Sequence, residues 1–376
     1  MIPLNRPYHI SGTAISTKVE NEWAAHGYKA ELLYASREGL YCVYQKLYKE
    51  RGTLRVAVSP LTCLIAIYPI IQAGHIPIFI DINAKTLNMD EQKLVLHENI
   101  DVVQVIHLGG NPMQMDVIMQ WAEMHNVVVI EDCAQALLSR YRGQMVGTFG
   151  DYAVYSMVKN LYAEAGGLLL YNENANLKLE TQEVSLPVMT YKRIKQWLEH
   201  RVTICTIWNG LYKSLLYLKE SKEGEFFGNN TIHCLPTSSV ERVKTLLGAA
   251  ERIQEERMRK VYMLIGLIDR SKYDIQEVVE GAESNRNRVL LVARNKQALH
   301  IIQTLRKQGI AANNLTQSYL HGYQEHIAKD SHLAKYYTEI LPVYEELMPR
   351  VISVPCSPDL KQEEIVYIAK RLNEVG

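Results

Sequence analysis

Residues 127–136 have the sequence VVVIEDCAQA, in which four β-branched residues are followed closely by Asp132. Three valines and an isoleucine in a row favour a buried β-strand. A carboxylate just beyond the carboxyl end of such a strand lies where open α/β sheets bind their ligands. Asp132 is therefore a candidate ligand-binding residue, and the structural alternative is an aspartate that caps the next helix.

The chain on both sides of this stretch alternates short apolar runs with segments of helical spacing, from residue 54 to residue 170. This alternation predicts a mostly parallel sheet that is covered by helices. Helices are predicted between the strands, as at residues 63–73 and 115–125. The predicted strands are residues 55–58, 76–80, 102–106, 127–130, 152–155 and 168–171.

The second half of the chain predicts a smaller domain. Residues 239–268 have an amphipathic pattern, which predicts one long helix that connects the domains. We predict a large domain over residues 1–238, with helices and loops at 174–230, and a small α+β domain over residues 239–376. The segments after the connecting helix are an apolar run at 289–293, a helix at 296–308, an apolar run at 351–355 and a helix at 362–373.

The charge balance and the apolar stretches exclude two classes of partner. Lys and Arg number 41, as do Asp and Glu, so the formal net charge is zero and nucleic acid is not an expected partner. The N-terminal sequence lacks the pattern of a signal peptide. The longest apolar stretch, residues 202–218, is interrupted by Asn209 and Lys213, so we predict a packed helix there and no membrane span.

The cysteines and histidines show no metal-binding pattern. The six cysteines are scattered, without a CxxC pair, so we expect reduced thiols in a cytoplasmic protein. The twelve histidines form no HxH or HxxxH cluster, and no metal site is predicted. His107 follows a predicted strand and is interpreted as a packed or hydrogen-bonded core residue.

Lys159 is the second candidate for chemistry, in the segment GTFGDYAVYSMVKNLYAEAGG at residues 147–167. A lysine in a loop is usually only solvated, but here it follows a predicted buried strand and precedes two glycines. An amine can bond covalently to a carbonyl cofactor, and a protonated pyridine ring needs a carboxylate beside its nitrogen. Together, Lys159 and Asp132 predict a pyridoxal-phosphate (PLP) site, with Lys159 as the Schiff-base lysine.

Two segments are candidates for binding the cofactor phosphate. The Ser156 hydroxyl can donate to a phosphate oxygen, or it can bond to its own backbone at the strand end. Residues 36–39, with the sequence SREG, open a helical run, and the free N–H groups at a helix start form an anion site. Gln135 is predicted to contact the cofactor ring or its phenolic oxygen.

The chain resembles the DegT/DnrJ/StrS family of nucleotide-sugar aminotransferases. The resemblance includes His107, Gly110 and Asp116 within HLGGNPMQMDVIMQWAEMHNVVVIEDCAQA, residues 107–136. Other matching segments are MIPLNRP at the start, SPLTCLIAIYPIIQAGHIPIFIDINAKTLNMD at 59–90, the lysine segment and ISVPCSPDLKQEEI at 352–365.

The resemblance implies a fold type I PLP-dependent transferase, with a large mostly parallel-sheet domain and a smaller α+β C-terminal domain. It also implies a homodimer with shared active sites, in which Asn229 or Asn230 is the nearest candidate for the asparagine that family members take from the partner chain. The residues it places at the cofactor are Lys159, Asp132, Gln135, Ser156, Ser36, Arg37 and Cys63.

Several positions depart from the family pattern. Cys63 stands where an aromatic residue stacks on the cofactor, and the loop from Ser156 to Lys159 is about two residues short of the family's usual length. The Gly of the family's helix-start motif is missing at residues 36–38, and Ala165 replaces the usual Glu, with Glu164 one place earlier. The substrate-side segments at 230–240 and 309–324 also differ, so the departures bear on the substrate more than on the cofactor.

The function implied is transfer of an amino group, from glutamate through pyridoxamine phosphate, to a keto group of a nucleotide-linked sugar. One alternative is a PLP enzyme of the same fold with a non-sugar substrate. A second alternative is a catalytically decayed member that serves as a binding or assembly protein. Lys159 argues against the dehydratase branch of the family, in which a histidine replaces the lysine.

Overall fold

The structure, a computed structural model, describes residues 18–184, 232–295, 297–314 and 340–376. Several predictions fall outside these described residues: the MIPLNRP opening, the packed helix at 202–218, the asparagines at 229 and 230, and most of the 309–324 segment.

Strands and helices alternate along the first half of the chain, as predicted. The strands are β1 (Tyr28–Leu33), β2 (Arg55–Val58), β3 (Ile76–Phe79), β4 (Val102–Ile106), β5 (Val128–Asp132), β6 (Arg140–Tyr141), β7 (Gln144–Met145), β8 (Tyr152–Ser156), β9 (Gly167–Asn172), β10 (Thr181–Glu183), β11 (Ile232–Cys234), β12 (Tyr273–Ile275), β13 (Ala282–Glu283), β14 (Val289–Ala293) and β15 (Val351–Val354). The helices are α1 (Lys18–Ala25), α2 (Ser36–Arg51), α3 (Leu64–Gln72), α4 (Glu91–Val95), α5 (Met115–His125), α6 (Met157–Leu161), α7 (Thr237–Gly248), α8 (Ala250–Leu267), α9 (Ala298–Lys307), α10 (Pro342–Leu347) and α11 (Gln362–Val375).

A nine-stranded sheet forms the centre of the large domain, in the order β10-β11-β1-β9-β8-β5-β4-β2-β3. Strands β8, β5, β4, β2 and β3 are parallel to one another, whereas β9 pairs antiparallel with both β8 and β1. The carboxyl ends of the parallel strands therefore lie along one edge of the sheet. All six predicted strands are present, and the prediction of a mostly parallel sheet is confirmed.

The sheet is buried on both faces because its central strands send alternate side chains into two different cores. Val103 and Val105 belong to one core, while Val102 and Ile106 belong to the other. Helix α5 packs on the first side through Met115, and α2 and α3 pack on the second. Strands buried on both faces have nearly continuous apolar sequences, which is why these strands could be predicted.

The connecting helix was predicted as one element over residues 239–268, and this prediction is wrong. Two helices, α7 and α8, meet at Ala249, whose φ of −108° and ψ of 9° lie outside the helical range. Gly248 ends the first helix, where glycine's low helix propensity favours a break. Residues 174–230 were predicted to hold helices and loops, but β10 lies among them.

A third core belongs to the second half of the chain. It is formed by α8, α9 and α11 packed on the three-stranded sheet β12-β14-β15. However, α7 and the first turns of α8 contribute Val243, Leu246 and Ile253 to the first core of the large sheet. The proposed division at residue 239 therefore stays a prediction.

The five described cysteines, Cys42, Cys63, Cys133, Cys234 and Cys356, are free thiols. Among the helices that the structure describes, none combines the length and the apolar character that crossing a bilayer requires.

Candidate functional site

A pocket of about 210 Å³ lies at the carboxyl edge of the parallel strands. The last residues of three neighbouring strands line it, Ile106 of β4, Asp132 of β5 and Ser156 of β8. The structure brings together seven of the eight predicted cofactor-binding residues here, and the eighth, Asn230, is outside the described residues. Those seven are Lys159, Asp132, Gln135, Ser156, Ser36, Arg37 and Cys63.

Asp132 is the buried carboxylate of the pocket, with 6% of its surface exposed. It is the last residue of β5, whereas the sequence placed it two residues beyond the strand. Its Oδ1 accepts the backbone N–H of Ala134 at 3.0 Å, and no described residue donates to Oδ2. Burial raises the pKa of the Asp132 carboxyl, and the positive charge of Lys159 opposes that rise. The site therefore has a carboxylate that a further cation or N–H donor would stabilise.

Lys159 lies in the one-turn helix α6 and not in a loop as predicted. This helix begins directly after β8 and ends at Tyr162, which adopts a left-handed conformation with φ of 59°. The side chain is half-buried and lines the same pocket as Asp132. The two residues act on each other electrostatically, since the lysine lowers the pKa of the aspartate.

The position of the Ser156 hydroxyl is compatible with both predicted roles, a hydrogen bond with the backbone and donation to a phosphate. Its Oγ accepts the backbone N–H of Lys159 at 3.4 Å and so caps α6. The O–H hydrogen stays available for donation into the pocket, which Ser156 lines. Ser36 and Arg37 line the pocket from the first turn of α2, so the predicted helix start is confirmed.

These groups match the chemistry of PLP. The buried Asp132 suits a protonated ring nitrogen, because a second positive partner offsets the cost of burying the carboxylate. The N-terminus of α2, with Ser36, Arg37 and Ser156, suits a phosphate. Lys159 supplies the amine that condenses with an aldehyde. The residues present therefore fit the cofactor that the sequence predicts.

Residues 39–373 match the DegT/DnrJ/EryC1/StrS aminotransferase family. The chain belongs to this family. Its membership confirms the predicted family, the fold type I architecture, the enzyme class and PLP as the cofactor.

Known members resemble this aminotransferase to different extents. GDP-perosamine synthase of Escherichia coli O157:H7 is 24% identical over 330 residues, which cover 85% of this chain and 78% of that protein. The Helicobacter pylori PseC, an aminotransferase involved in the biosynthesis of pseudoaminic acid, superposes with a TM-score of 0.71 at 17% identity over 100% of this chain and 98% of its own. The E. coli GDP-4-keto-6-deoxy-D-mannose-3-dehydratase with bound hydrated PLP superposes with a TM-score of 0.70 at 15% identity, over 98% of this chain and 100% of its own. The two structural matches show a shared fold.

The glycine pair at the start of β9, Gly166 and Gly167, has a structural role in this aminotransferase. Gly166 donates its N–H to the Tyr34 carbonyl and accepts the Met157 N–H, both at 3.0 Å. A Cβ on Gly167 would lie 2.1 Å from Ser36 N. These glycines allow the start of α2 to lie against β9, and this places the first turn of α2, the candidate phosphate-binding turn, beside the lysine helix.

Cys63, which the resemblance places where the family has a stacking aromatic residue, lies at the start of α3. The pocket wall around it is aliphatic, with Leu61, Ile65 and Ala66 as its neighbours in the lining. The described residues therefore offer a planar ring dispersion contacts but no aromatic stacking partner from this wall.

His107 is buried and hydrogen-bonded, as the sequence analysis interpreted it, but it also lines the pocket. Its Nδ1 accepts the Met113 N–H at 3.1 Å, so its Nε2 carries the hydrogen and donates to Glu131 at 3.2 Å. Glu131 also accepts three backbone N–H groups, from Gly147, Phe149 and Gly150. With Cys133 these two residues form a group of potential metal ligands, but hydrogen bonds already engage the histidine and the carboxylate.

Gln135 lines the pocket with its side chain held in place. Its Oε1 accepts the backbone N–H of Gly109 at 3.1 Å, so the amide is anchored to the turn after β4. Tyr34 also lines the pocket and was missed by the sequence analysis. Tyr34 directly follows β1, a strand that the sequence analysis did not predict. No local sequence pattern therefore indicated that Tyr34 lies in the pocket.

Proposed function

We propose that this chain transfers an amino group from glutamate to a keto group of a nucleotide-linked sugar. The supporting observation is the meeting of Asp132 and Lys159 in one pocket, where the lysine charge acts on the buried carboxylate. Membership in the aminotransferase family and the 24% identity to a GDP-perosamine synthase support a nucleotide-sugar acceptor.

PLP, when bound, supplies a carbonyl that exchanges amines and a protonated ring that accepts electrons. Asp132 would keep a proton on the ring nitrogen, because its ionised form is costly in the buried site without a positive partner. Lys159 would move a proton at the substrate carbon that carries the nitrogen. Both half-reactions need this proton transfer, so both need a mobile amine at Lys159.

The remaining predicted residues would bind and orient the cofactor. Ser36 and Arg37 in the first turn of α2, together with Ser156, would hold the phosphate through N–H, O–H and guanidinium donors. Gln135, anchored to Gly109, would contact the ring or its phenolic oxygen. Cys63 would contact the ring through sulfur and methylene atoms.

Borohydride treatment of the PLP-loaded protein tests the role of Lys159. We expect reduction to fix the cofactor covalently to the peptide that contains Lys159, as seen by mass spectrometry. The variant Lys159→Ala should lose this label. Lys85→Ala, which removes an exposed lysine paired with Glu277, should keep it. A label on another lysine, or none at all, would contradict the proposed site.

The amino donor is tested separately by adding glutamate to the PLP-loaded protein. We expect 2-oxoglutarate to be released in amounts that match the loss of the lysine-bound cofactor absorbance. Aspartate and alanine serve as control donors under the same conditions. If neither glutamate nor the control donors release a keto acid, transamination is the wrong reaction for this site.

We further propose a cytoplasmic homodimer in which Asn230 reaches the neighbouring active site. The family resemblance supports this arrangement. Light scattering should give twice the 43.0 kDa chain mass. Asn230→Ala would weaken PLP binding without changing the dimer mass. A monomeric protein that binds PLP tightly would contradict the proposal of a shared active site.

A further inference from the structure

The helix that carries Lys159 is held by side chains that do not line the pocket. Helix α6 has only five residues, and the last carbonyl groups of any helix lack partners within the helix. Asn287 donates from Nδ2 to the Lys159 carbonyl at 2.8 Å, and Arg257 donates from Nη2 to the Asn160 carbonyl at 2.6 Å. Both donors come from the second half of the chain, so the lysine turn is fixed by distant segments.

Arg257 is an unusual residue for a core, with only 2% of its surface exposed. Its hydrogen-bond partners among the described residues are neutral: the Asn160 carbonyl, the Gln254 side chain at 3.0 Å and the Tyr162 hydroxyl at 3.3 Å. It also stacks over the Tyr162 ring, at 5.5 Å from the centroid. Burial of a guanidinium without a carboxylate is costly. Since Arg257 contacts both the last turn of α6 and the residue that ends it, its position fixes this helix.

Asn287 belongs to a short tract that inserts behind the pocket. Asn285, two residues earlier, donates to the Leu137 carbonyl at 2.8 Å and accepts the Asn287 N–H at 2.9 Å. A Cβ on Gly110 would lie 1.7 Å from the Asn285 side-chain oxygen, so only glycine leaves room for the tract. The tract is therefore held by a hydrogen bond to the Leu137 backbone and by the absence of a side chain at Gly110.

Asn160 connects the lysine turn to the segment that follows Asp132. Its Nδ2 donates to the carbonyls of Ala134 and Ser156, at 3.0 and 2.9 Å. Its Oδ1 accepts the Leu137 N–H at 3.2 Å. The aspartate and lysine segments therefore share one buried amide, and a shift of α6 changes the separation of the two functional side chains.

We propose that Arg257 and Asn287 are positioning residues, which set where the Lys159 amino group stands relative to Asp132. This inference rests on the proposed role of Lys159. Misplacement of a reacting group by about 1 Å can lower a rate about 100-fold. Neither residue lines the pocket, so their removal acts on proton transfer more than on the binding of the cofactor or the donor.

The test uses the PLP-loaded full chain with Asn287→Ala, and Arg257→Lys as a second variant that keeps the charge. We expect the single-turnover rate constant with glutamate to fall about 10- to 100-fold. The glutamate concentration at half saturation should stay close to that of the unmodified protein. The pH midpoint of the visible absorbance of the bound cofactor should also shift, because the lysine-linked nitrogen moves relative to the charges around it.

Asn373→Ala is the matched control, since, like Asn287→Ala, it removes an amide that donates to a backbone carbonyl. Asn373 donates to the Leu267 carbonyl at 2.8 Å and accepts the Asp269 N–H at 2.9 Å, and it does not line the pocket. It should lower the melting temperature while leaving the rate constant and the pH midpoint unchanged.

If both test variants lose thermal stability like the control but keep the rate constant and the pH midpoint, the residues are only structural and the inference is wrong. If borohydride fails to fix PLP to Lys159 in the unmodified protein, the proposed function fails first and the inference falls with it. The two failures are therefore distinguished by the labelling of the unmodified protein.

Discussion

The substitution Gly167→Ala should disrupt the proposed phosphate site, although it changes none of the side chains that line the pocket. Its Cβ would lie 2.1 Å from Ser36 N and 2.2 Å from Ala35 C, both of them backbone atoms. Heavy atoms pack at about 3.5 Å, so the start of α2 would have to retreat by about 1.4 Å. Such a retreat exceeds the tolerance of a hydrogen bond, whose donor–acceptor distance spans about 2.7–3.2 Å.

The expected loss of cofactor affinity follows from these distances. A hydrogen bond to a charged group contributes about 1.5–3 kcal/mol, so the loss of one phosphate contact weakens PLP binding by about 10- to 150-fold. Overpacking at this position should also lower the free energy of unfolding by about 1–3 kcal/mol. Titration with PLP, followed by its absorbance, measures the first effect, and thermal unfolding of the apoprotein measures the second.

Gly266→Ala provides the control for this experiment. Gly266 lies near the end of α8, and a Cβ there meets no atom within 4 Å. The change should raise stability by up to about 1 kcal/mol, through helix propensity, and leave PLP affinity unaltered. If Gly167→Ala binds PLP as tightly as the unmodified protein, the start of α2 does not hold the phosphate and the site is wrongly assigned.

Three further changes have defined outcomes. Burial raises the pKa of Asp132, so the ionised carboxyl destabilises the folded apoprotein as the pH rises from the ordinary value of about 3.9 through the raised one. Asp132→Asn should therefore raise the melting temperature of the apoprotein at pH 7 but not at a pH below both pKa values. The same change should lower the transamination rate. An unchanged melting temperature at pH 7 would contradict the electrostatic reasoning. Cys63→Tyr should tighten PLP binding by up to about tenfold through stacking, measured by the same titration, and weaker binding would show that the ring lies elsewhere. Glu131→Gln should lower the free energy of unfolding by about 3 kcal/mol, because His107 and three backbone N–H groups lose a charged acceptor, and a chemical denaturation midpoint equal to that of the unmodified protein would contradict this network.

The parallel strands, and the position of the two candidate functional residues at the end of such strands, could be predicted because their signals are local. Strands β4 and β5 are buried on both faces, so each contains a short run rich in apolar residues, interrupted in β4 by Gln104. Asp132 and Lys159 each follow such a run, where chemistry concentrates in open sheets. The residue types also suggested roles for Gln135, Ser156 and Ser36, which the family resemblance implied as well, and the structure places all three in the pocket.

Elements without a local signal were missed. Strand β1 has the sequence YKAELL, and its lysine and glutamate are exposed, so it lacks the apolar run of its neighbours. The single helix expected at 239–268 was wrong because its amphipathic pattern continues across the break at Ala249. Periodicity shows which face of a helix is buried, but it does not show where one helix ends and the next begins.

The sequence by itself determined the residue chemistry and the order of the parallel strands and the helices between them, since both depend on neighbours within a few positions. Only the tertiary structure decided that Gly167 lies against the start of α2, and that Arg257 and Asn287 hold the turn of Lys159. These contacts join segments that are far apart in the chain. They arise from the packing of the whole fold, and no local pattern of apolar residues, glycines or charges encodes them.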